Sequence, residues 1–136
     1  MKALAIGFSL ALLVVAPLAR ADDGAVLLGK DGNGYRHYLY PDSVRVADGG
    51  RVVIAALEVR EPKGASRKVV AAFDCRDNAF LVLQTERYDA KGRHLGGSGP
   101  GASGVVLPGT VVDTWHAGAC AVGQALREAS TRPRVY

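Results

Sequence analysis

The sequence predicts a mainly β domain of the α+β class: an antiparallel sheet of about six strands with a C-terminal α-helix packed on one face. Two observations predict this fold. Segments rich in β-branched and aromatic residues are separated by turns too short for the crossover helices that parallel strands require. Beyond Pro108-Gly109 the apolar residues instead recur at three- and four-residue steps, as they do on one face of a helix.

The predicted strands follow a lead-in, residues 22–34, that is rich in Gly and Asp. They comprise residues 35–40, 44–46, 51–60, 67–75, 79–88 and 105–107. Residues 96–104, rich in Gly, Ser and Pro, are expected to form a mobile surface loop.

The turns between the strands carry residues that favour a tight reversal of the chain. Pro pre-sets its φ angle, Asp hydrogen-bonds nearby backbone groups, and Gly supplies the positive φ angles of hairpin turns. The predicted turns are Pro41-Asp42-Ser43, Asp48-Gly49-Gly50, Glu61-Pro62-Lys63-Gly64, Arg76-Asp77-Asn78 and Asp89-Ala90-Lys91-Gly92.

The helix is predicted to begin at Thr110, because Thr110-Val111-Val112-Asp113 has the pattern of a capping box. Its apolar face would contain Val112, Trp115, Ala119, Val122 and Leu126. Gly118 and Gly123 weaken a helix, and Cys120 lies off this apolar stripe. Two alternatives follow. Either the helix ends near Gly118 and the chain turns so that Cys120 faces the sheet, or the helix continues and Cys120 lies at its edge.

Residues 1–21 are expected to be a cleaved signal peptide. Met1-Lys2 gives a positive start, and Ala19-Arg20-Ala21 has the small-x-small pattern of a cleavage site. The apolar run between them, residues 4–18, is shorter than the ~20 residues of a membrane-spanning helix. No cysteine near the cleavage site could carry a lipid anchor. The mature protein is therefore expected in the periplasm or outside the cell, as a soluble chain without a membrane-spanning segment.

The mature chain is expected to form one domain at residues 22–127, followed by a tail at residues 128–136. Loss of Lys2 and Arg20 with the signal peptide lowers the number of basic residues from 17 to 15, against 13 acidic residues. The remaining Lys and Arg residues form no run and are mixed with acidic ones. Nucleic-acid binding needs clustered positive charge, so no nucleic-acid partner is expected.

Cys75 and Cys120 are predicted to form a structural disulfide. An isolated pair of cysteines in a small exported domain is most often bridged. Alternation along residues 67–75 places Cys75 on the more apolar face, with Val69, Ala71 and Phe73, so that it points inward. No C-x-x-C or H-x-x-x-H spacing lies near either cysteine, and no metal site is predicted.

No catalytic set can be assembled, so the protein is predicted not to be an enzyme and to need no cofactor. Three histidines are scattered along the chain, at His37, His94 and His116, and no serine lies in a G-x-S-x-G elbow. The carboxylates considered as general acids stand at strand ends or at the helix start: Glu58, Glu86 and Asp113. An enzyme would need a pocket in which His37 or His94 faces a carboxylate.

The first predicted strand offers a possible partner-binding site. Alternation places Arg36, Tyr38 and Tyr40 on one face of the strand, with Tyr35, His37 and Leu39 on the other. Tyr and Arg are the residues that anchor protein–protein contacts. Tyr is equally favoured as a half-buried strand residue, which is the alternative interpretation. A protein partner is expected; its identity and the oligomeric state stay open, with a dimer possible.

Several short motifs, in this order, resemble the surface-adhesin protein E-like family of small exported bacterial domains. They are Tyr40-Pro41-Asp42-Ser43-Val44, Phe73-Asp74-Cys75, Tyr88 ahead of Lys91-Gly92, Leu107-Pro108-Gly109-Thr110, and Trp115 followed by Cys120. The resemblance covers roughly residues 35–120. It implies a curved antiparallel sheet with a C-terminal helix on one face, tied to the sheet by a disulfide that matches Cys75 and Cys120.

For the member that names the family, the resemblance also implies attachment to host extracellular proteins as a cell-surface lipoprotein. This chain departs from that pattern, because it has no lipidation cysteine and Trp115 is its only tryptophan. The motifs match scaffold positions, so no adhesive residue carries over.

The sequence therefore favours an exported, non-catalytic binding module. One alternative is a periplasmic inhibitor of a hydrolase such as lysozyme, which should present a protruding loop such as residues 96–104. A haem- or metal-binding protein is a further alternative.

Overall fold

The computed structural model describes residues 24–132. The predicted signal peptide and the last four residues of the predicted tail lie outside the described residues. The elements are β1 (Val26–Lys30), β2 (Arg36–Ala47), β3 (Val52–Arg60), β4 (Ser66–Asp74), β5 (Ala79–Tyr88), β6 (His94–Ser98), β7 (Ser103–Val105) and α1 (Val111–Thr131). The helix thus extends past Arg127, the last residue of the predicted domain.

The seven strands of the described residues form one open antiparallel sheet, in which the first six strands are paired in sequence order. The order is β1-β2-β3-β4-β5-β6, and β7 pairs with β5 beyond the stretch that β6 occupies. The single α-helix of the described residues packs on one face of this sheet, mainly against β2 and β3, and residues Asp48–Gly50 between these two strands form one turn of 3-10 helix. The predicted fold class is confirmed.

One strand at the edge of the sheet was not predicted. β1 lies within residues 22–34, which the sequence indicated as a lead-in, and it pairs with the first part of β2. Its residues alternate poorly in burial, and a register shift between Leu27 and Gly29 interrupts the ladder. A short, bulged edge strand carries a weak period-two signal.

The predicted turn at Pro41-Asp42-Ser43 is instead a bulge within β2, so the two short strands predicted around it are one strand. The ladder with β3 shifts register between Tyr40 and Arg45. Within the bulge, Ser43 Oγ accepts a hydrogen bond from the backbone N–H of Ala56 at 2.8 Å and donates to the carbonyl of Tyr40 at 2.6 Å. The serine hydroxyl therefore replaces the ladder contacts that the bulge removes, and Pro is tolerated there because bulges need no donor.

The predicted surface loop at residues 96–104 is largely held on the sheet. β6 and β7 occupy most of it, and between them Ala102 accepts from Val82 N–H at 2.8 Å while Gly101 N–H donates to Val82 O at 2.9 Å. The strand predicted at residues 105–107 is reduced to its first residue, since β7 ends at Val105.

Three hairpins share one turn geometry, built on an acidic residue and a glycine three positions later. In each, the glycine N–H donates to the carbonyl of the acidic residue, and the acidic residue N–H donates across the turn. The pairs are Asp31 with Gly34, Glu61 with Gly64, and Asp89 with Gly92, and all three glycines have positive φ. These turns fix the registers of β1–β2, β3–β4 and β5–β6.

The hydrophobic core lies between the sheet and α1. Its buried members are Leu39, Val44, Val53, Ala55, Leu57, Val59, Val69, Ala71, Phe73, Trp115 and Ala119. The predicted inward face of β4 is confirmed by the burial of Val69, Ala71 and Phe73. Close packing depends on two helix glycines: a Cβ on Gly118 would lie 2.8 Å from Leu28, and one on Gly123 would lie 2.6 Å from Val53.

The helix is continuous through Gly118, so the second of the two helix alternatives is correct. Thr110 is the N-cap and its hydroxyl accepts from the backbone N–H of Asp113 at 3.2 Å, as the capping-box pattern predicts. Half-buried Cys120 lies on this helix and forms the predicted disulfide with Cys75, just after β4, with the Cα atoms 5.8 Å apart. Within residues 24–132, no helix combines the length and apolar character needed to cross a membrane.

Candidate functional site

The face of the sheet opposite α1 holds the three predicted partner-binding residues. His37 and Leu39 are buried towards the helix, so alternation turns Arg36, Tyr38 and Tyr40 to the other side. The register continues this surface across β3, β4 and β5. We call it the open face and define it by Arg36, Tyr38, Tyr40, Glu58, Arg60, Lys68, Glu86 and Tyr88. No element within residues 24–132 packs on it.

Cations lie over the aromatic rings of the open face. The guanidinium of Arg60 lies 4.3 Å from the centre of the Tyr38 ring. The ammonium of Lys68 lies 5.8 Å from the ring centre of Tyr40 and 5.6 Å from that of Tyr88. Each distance is within the ~6 Å over which a cation is attracted to a ring face. These contacts bring side chains from four strands into one continuous surface.

A buried carboxylate holds part of this surface in place. Glu58 is only 6% exposed and accepts hydrogen bonds from Arg60 Nε at 3.0 Å, from Arg60 Nη2 at 3.1 Å and from the Tyr40 hydroxyl. Burial would raise the pKa of Glu58, but the bonds from Arg60 and Tyr40 outweigh it and hold the pKa below its ordinary value. Glu58 therefore stays ionised and fixes the positions of Arg60 and Tyr40.

The open face carries a surplus of positive charge. Arg36, Arg60 and Lys68 lie on this face with two acidic side chains, Glu58 and Glu86, and Glu86 lies directly opposite Lys68 with its carboxylate in contact with His94. The predicted residues differ in accessibility, since Arg36 is exposed, Tyr40 is half-buried, and Tyr38 is 8% exposed beneath Arg60. Tyr38 thus packs as the alternative interpretation expected, while Arg36, Lys68 and parts of Tyr40 and Tyr88 are accessible. Arg60 and Lys68 belong to the surface although the sequence did not single them out for it.

The two histidines named for an enzyme each face a carboxylate and line a cavity. His37 Nε2 lies 2.9 Å from Asp31 Oδ2, beside a cavity of about 280 Å³ near the start of α1. His94 Nε2 contacts Glu86 Oε2, beside a shallow cavity of about 430 Å³. Each of these histidines thus faces a carboxylate beside a cavity, as the sequence analysis required of an enzyme. What each pair can do chemically depends on the other contacts of its histidine.

Both ring nitrogens of His37 are engaged. The indole Nε1 of Trp115 donates to His37 Nδ1 at 3.0 Å, so Nδ1 carries no proton. The ring proton therefore resides on Nε2 and is donated to Asp31, whose pKa is lowered chiefly by this bond. With both nitrogens occupied and the ring buried, His37 joins three elements and has no nitrogen directed to a substrate.

The pair formed by His94 and Glu86 has no nucleophile in position. Ser98 lines the same cavity, but the register with β5 places His94 opposite Tyr88 and Ser98 opposite Thr85. Three residues along a strand span about 10 Å, too far for a hydrogen bond between the two side chains. The bond from His94 is the main cause of the lowered pKa of Glu86.

The third histidine lies beside the disulfide, an arrangement that the sequence did not predict. His116 Nε2 lies 2.9 Å from the carbonyl oxygen of Asp74 and 3.6 Å from Cys120 Sγ. His116 and Cys120 are four residues apart on α1, and this H-x-x-x-C spacing places both side chains on one side of the helix. The two spacings considered in the sequence, H-x-x-x-H and C-x-x-C, do not include this mixed H-x-x-x-C spacing.

Comparison with protein-family models gave no match, and comparison with curated proteins gave none either. The resemblance to the surface-adhesin protein E-like family therefore stays a prediction that rests on the motifs quoted above.

Proposed function

We propose that this protein is an exported, non-catalytic binding module, similar to surface-adhesin protein E-like domains, whose open face contacts a protein with an acidic surface. The observation that carries the proposal is the run of cations and tyrosines across β2 to β5, on the face that α1 leaves uncovered. Such residues are enriched where proteins bind one another.

Charge favours an acidic partner. Glu58 neutralises Arg60, whereas Arg36 and Lys68 are exposed at the two sides of that pair. A partner with carboxylates at matching positions would be attracted at long range and oriented on contact. A basic partner would meet like charge and be rejected.

The rigid arrangement of the open face also suits binding. Tyr40 and Arg60 are held by Glu58, so a partner would not have to immobilise them. Preorganised side chains lose less conformational entropy on association. The strands beneath these side chains are hydrogen-bonded to one another in a fixed register, which holds the side chains in place.

Neither the enzyme nor the inhibitor alternative gains support of this kind. His37 has no nitrogen directed outward, and His94 has no nucleophile beside it among the described residues. The segment expected to protrude in an inhibitor is hydrogen-bonded to β5 along most of its length. The Cys75–Cys120 disulfide is consistent with export, because such bonds persist in oxidising compartments.

The test uses charge reversal on the open face. Immobilised wild-type protein, Arg36→Glu and Lys68→Glu are each exposed to periplasmic and extracellular fractions, and the retained proteins are identified and then measured in purified form. Arg67→Glu is the matched control, because Arg67 adjoins Lys68 on β4, is exposed, and lies on the other face of the sheet.

We expect wild type and Arg67→Glu to retain the same acidic protein, and each open-face variant to bind it about tenfold more weakly, the equivalent of about 1.4 kcal/mol. The loss should shrink as salt is added. If wild type retains no protein at micromolar concentration, or if all three variants bind alike, the proposal is wrong.

A further inference from the structure

Cys75, Cys120 and His116 bring three metal-binding atoms together. The two Sγ atoms and His116 Nε2 all lie within 4.8 Å of one another. Cys75 follows β4, while His116 and Cys120 lie on α1, so the cluster spans the junction between sheet and helix. His116 is buried, and both cysteines are half-buried at the wall of a cleft of about 790 Å³. The cleft gives small molecules and ions a route to the sulfurs.

The spacing of the cluster fits tetrahedral coordination. Zn²⁺ binds sulfur at about 2.3 Å and histidine nitrogen at about 2.0–2.1 Å, so two such ligands on one tetrahedral ion lie about 3.5 Å apart. His116 Nε2 and Cys120 Sγ are 3.6 Å apart. The nitrogen and one sulfur therefore already have the separation of two ligands on the same ion. Two thiolates on one ion lie about 3.8 Å apart, a separation the sulfurs can reach once the bond between them is broken.

We propose that reduction of the Cys75–Cys120 disulfide opens a binding site for a thiophilic divalent cation such as Zn²⁺, held by Cys75, Cys120 and His116. The reductant is a dithiol of the thiol–disulfide exchange class. It delivers two electrons and two protons to the cysteine sulfurs and becomes a disulfide itself. Binding of the cation then releases the two thiol protons to solvent and leaves two thiolate ligands.

The charges around the cleft are compatible with this site. A divalent cation, two thiolates and a neutral imidazole sum to zero charge, so the arginines of the cleft do not oppose the complex. Arg51 is in addition paired with Asp74 at 2.9 Å and with Asp77 at 2.6 Å. His116 would exchange its hydrogen bond to the Asp74 carbonyl for the metal and carry its proton on Nδ1. Three protein ligands leave the fourth position to a water molecule from the cleft.

The site is tested with Co²⁺ as a spectroscopic probe. The full chain is prepared oxidised and, separately, reduced with a phosphine under anaerobic conditions, and each form is titrated. We expect the reduced form to bind one Co²⁺ per chain, with thiolate-to-cobalt absorption in the near ultraviolet and visible bands of a tetrahedral ion. Zn²⁺ should displace the cobalt, and the oxidised form should show neither band. Reduced protein that binds no cobalt, whether folded or unfolded by circular dichroism, overturns the proposal.

A histidine variant separates this site from a simple dithiol. His116→Asn should bind Co²⁺ at least tenfold more weakly, whereas His94→Asn, which changes an exposed histidine of β6, should bind like wild type. X-ray absorption of the zinc-loaded wild type should show two sulfur ligands and at least one imidazole. Equal affinity of His116→Asn and wild type, or a zinc spectrum without imidazole, overturns the proposal even if the variant is partly unfolded.

Discussion

The indole N–H of Trp115 donates a hydrogen bond to Nδ1 of His37, 3.0 Å away and 78 residues earlier in the chain. The bond joins α1 to β2, and His37 extends it to Asp31 in the β1–β2 turn. Both Trp115 and His37 are more than nine-tenths buried, so neither polar atom could exchange this partner for water.

Trp115→Phe should therefore lower the free energy of unfolding by about 1–3 kcal/mol, the cost of a buried acceptor left without a donor. Urea denaturation measures this change. The same substitution made in a His37→Phe background should cost less, because no acceptor remains to be satisfied, with a coupling energy of about 0.5–3 kcal/mol. Additive effects of the two substitutions would contradict this interpretation of the bond.

Stability should fall at acid pH. The pKa values of several carboxyl groups are held below their ordinary values by hydrogen bonds: Asp31, Glu58, Asp74, Glu86 and Asp89. A group whose folded pKa is depressed stabilises the fold above its unfolded pKa, and this contribution is lost as pH falls through the folded pKa. Unfolded Asp and Glu titrate near pH 4, so stability should be level above about pH 5 and decline below it.

Urea midpoints measured from pH 7 to pH 3 test this decline. Asp31→Asn should make the acid decline shallower, since one of the depressed groups is then absent. A urea midpoint that stays constant between pH 6 and pH 3 in the wild type would show that these hydrogen bonds do not make the stability depend on pH.

Replacing Cys75 or Cys120 by Ala should destabilise the fold by similar amounts, because either change opens the same loop. The cysteines are 45 residues apart in sequence. The chain-entropy relation gives about 4 kcal/mol for a loop of this length. Thermal unfolding of both variants under oxidising conditions measures the effect, and wild-type melting temperatures would exclude a stabilising bridge.

Gly123→Ala should destabilise the protein although Ala is the better helix former. The new methyl group would lie 2.6 Å from a buried, branched Val53 side chain, and such overpacking costs about 1–3 kcal/mol against a gain of about 1 kcal/mol in helix propensity. Gly118→Ala is the matched variant, because its methyl would meet the end of the half-buried Leu28 side chain, which can rotate away. We expect Gly118→Ala to cost less in chemical denaturation. The reverse order would contradict the close contact at Val53.

The hairpins could be predicted where a turn signal and a strong alternating strand coincided. The turns at Glu61–Gly64 and Asp89–Gly92 are of this kind. Asp31-Gly32-Asn33-Gly34 carries the same acidic-to-glycine spacing, and its hydrogen bonds are the same. The strand before it, β1, is short and bulged, so the sequence there lacks the alternating pattern that marks a hairpin. A turn motif repeated elsewhere in the chain was the signal that could have identified this strand.

Two other features depend on contacts that no local pattern contains. Pro, Asp and Ser favour turns and bulges alike, and pairing with Ala56 on β3 is what makes residues 41–43 a bulge. The position of His116 beside Cys75 likewise depends on how α1 docks on β4. Alternation along one strand is enough to place Arg36, Tyr38 and Tyr40 on the same face. That Arg60 and Lys68 lie on this face too depends on the β2–β3 and β3–β4 registers, which the turns set.

The neighbour-to-neighbour strand order also governs how the chain can fold. Each strand pairs first with one nearby in sequence, so the hairpins can form early and join from either end, with little loop-closure entropy to overcome. The helix follows every strand, and its core side, including Trp115 and Ala119, docks against β2 far back in the chain. Until it docks, the sheet exposes an apolar surface that includes Leu39, Leu57 and Phe73. Helix docking is therefore the step that covers this surface and removes it from contact with other unfolded chains.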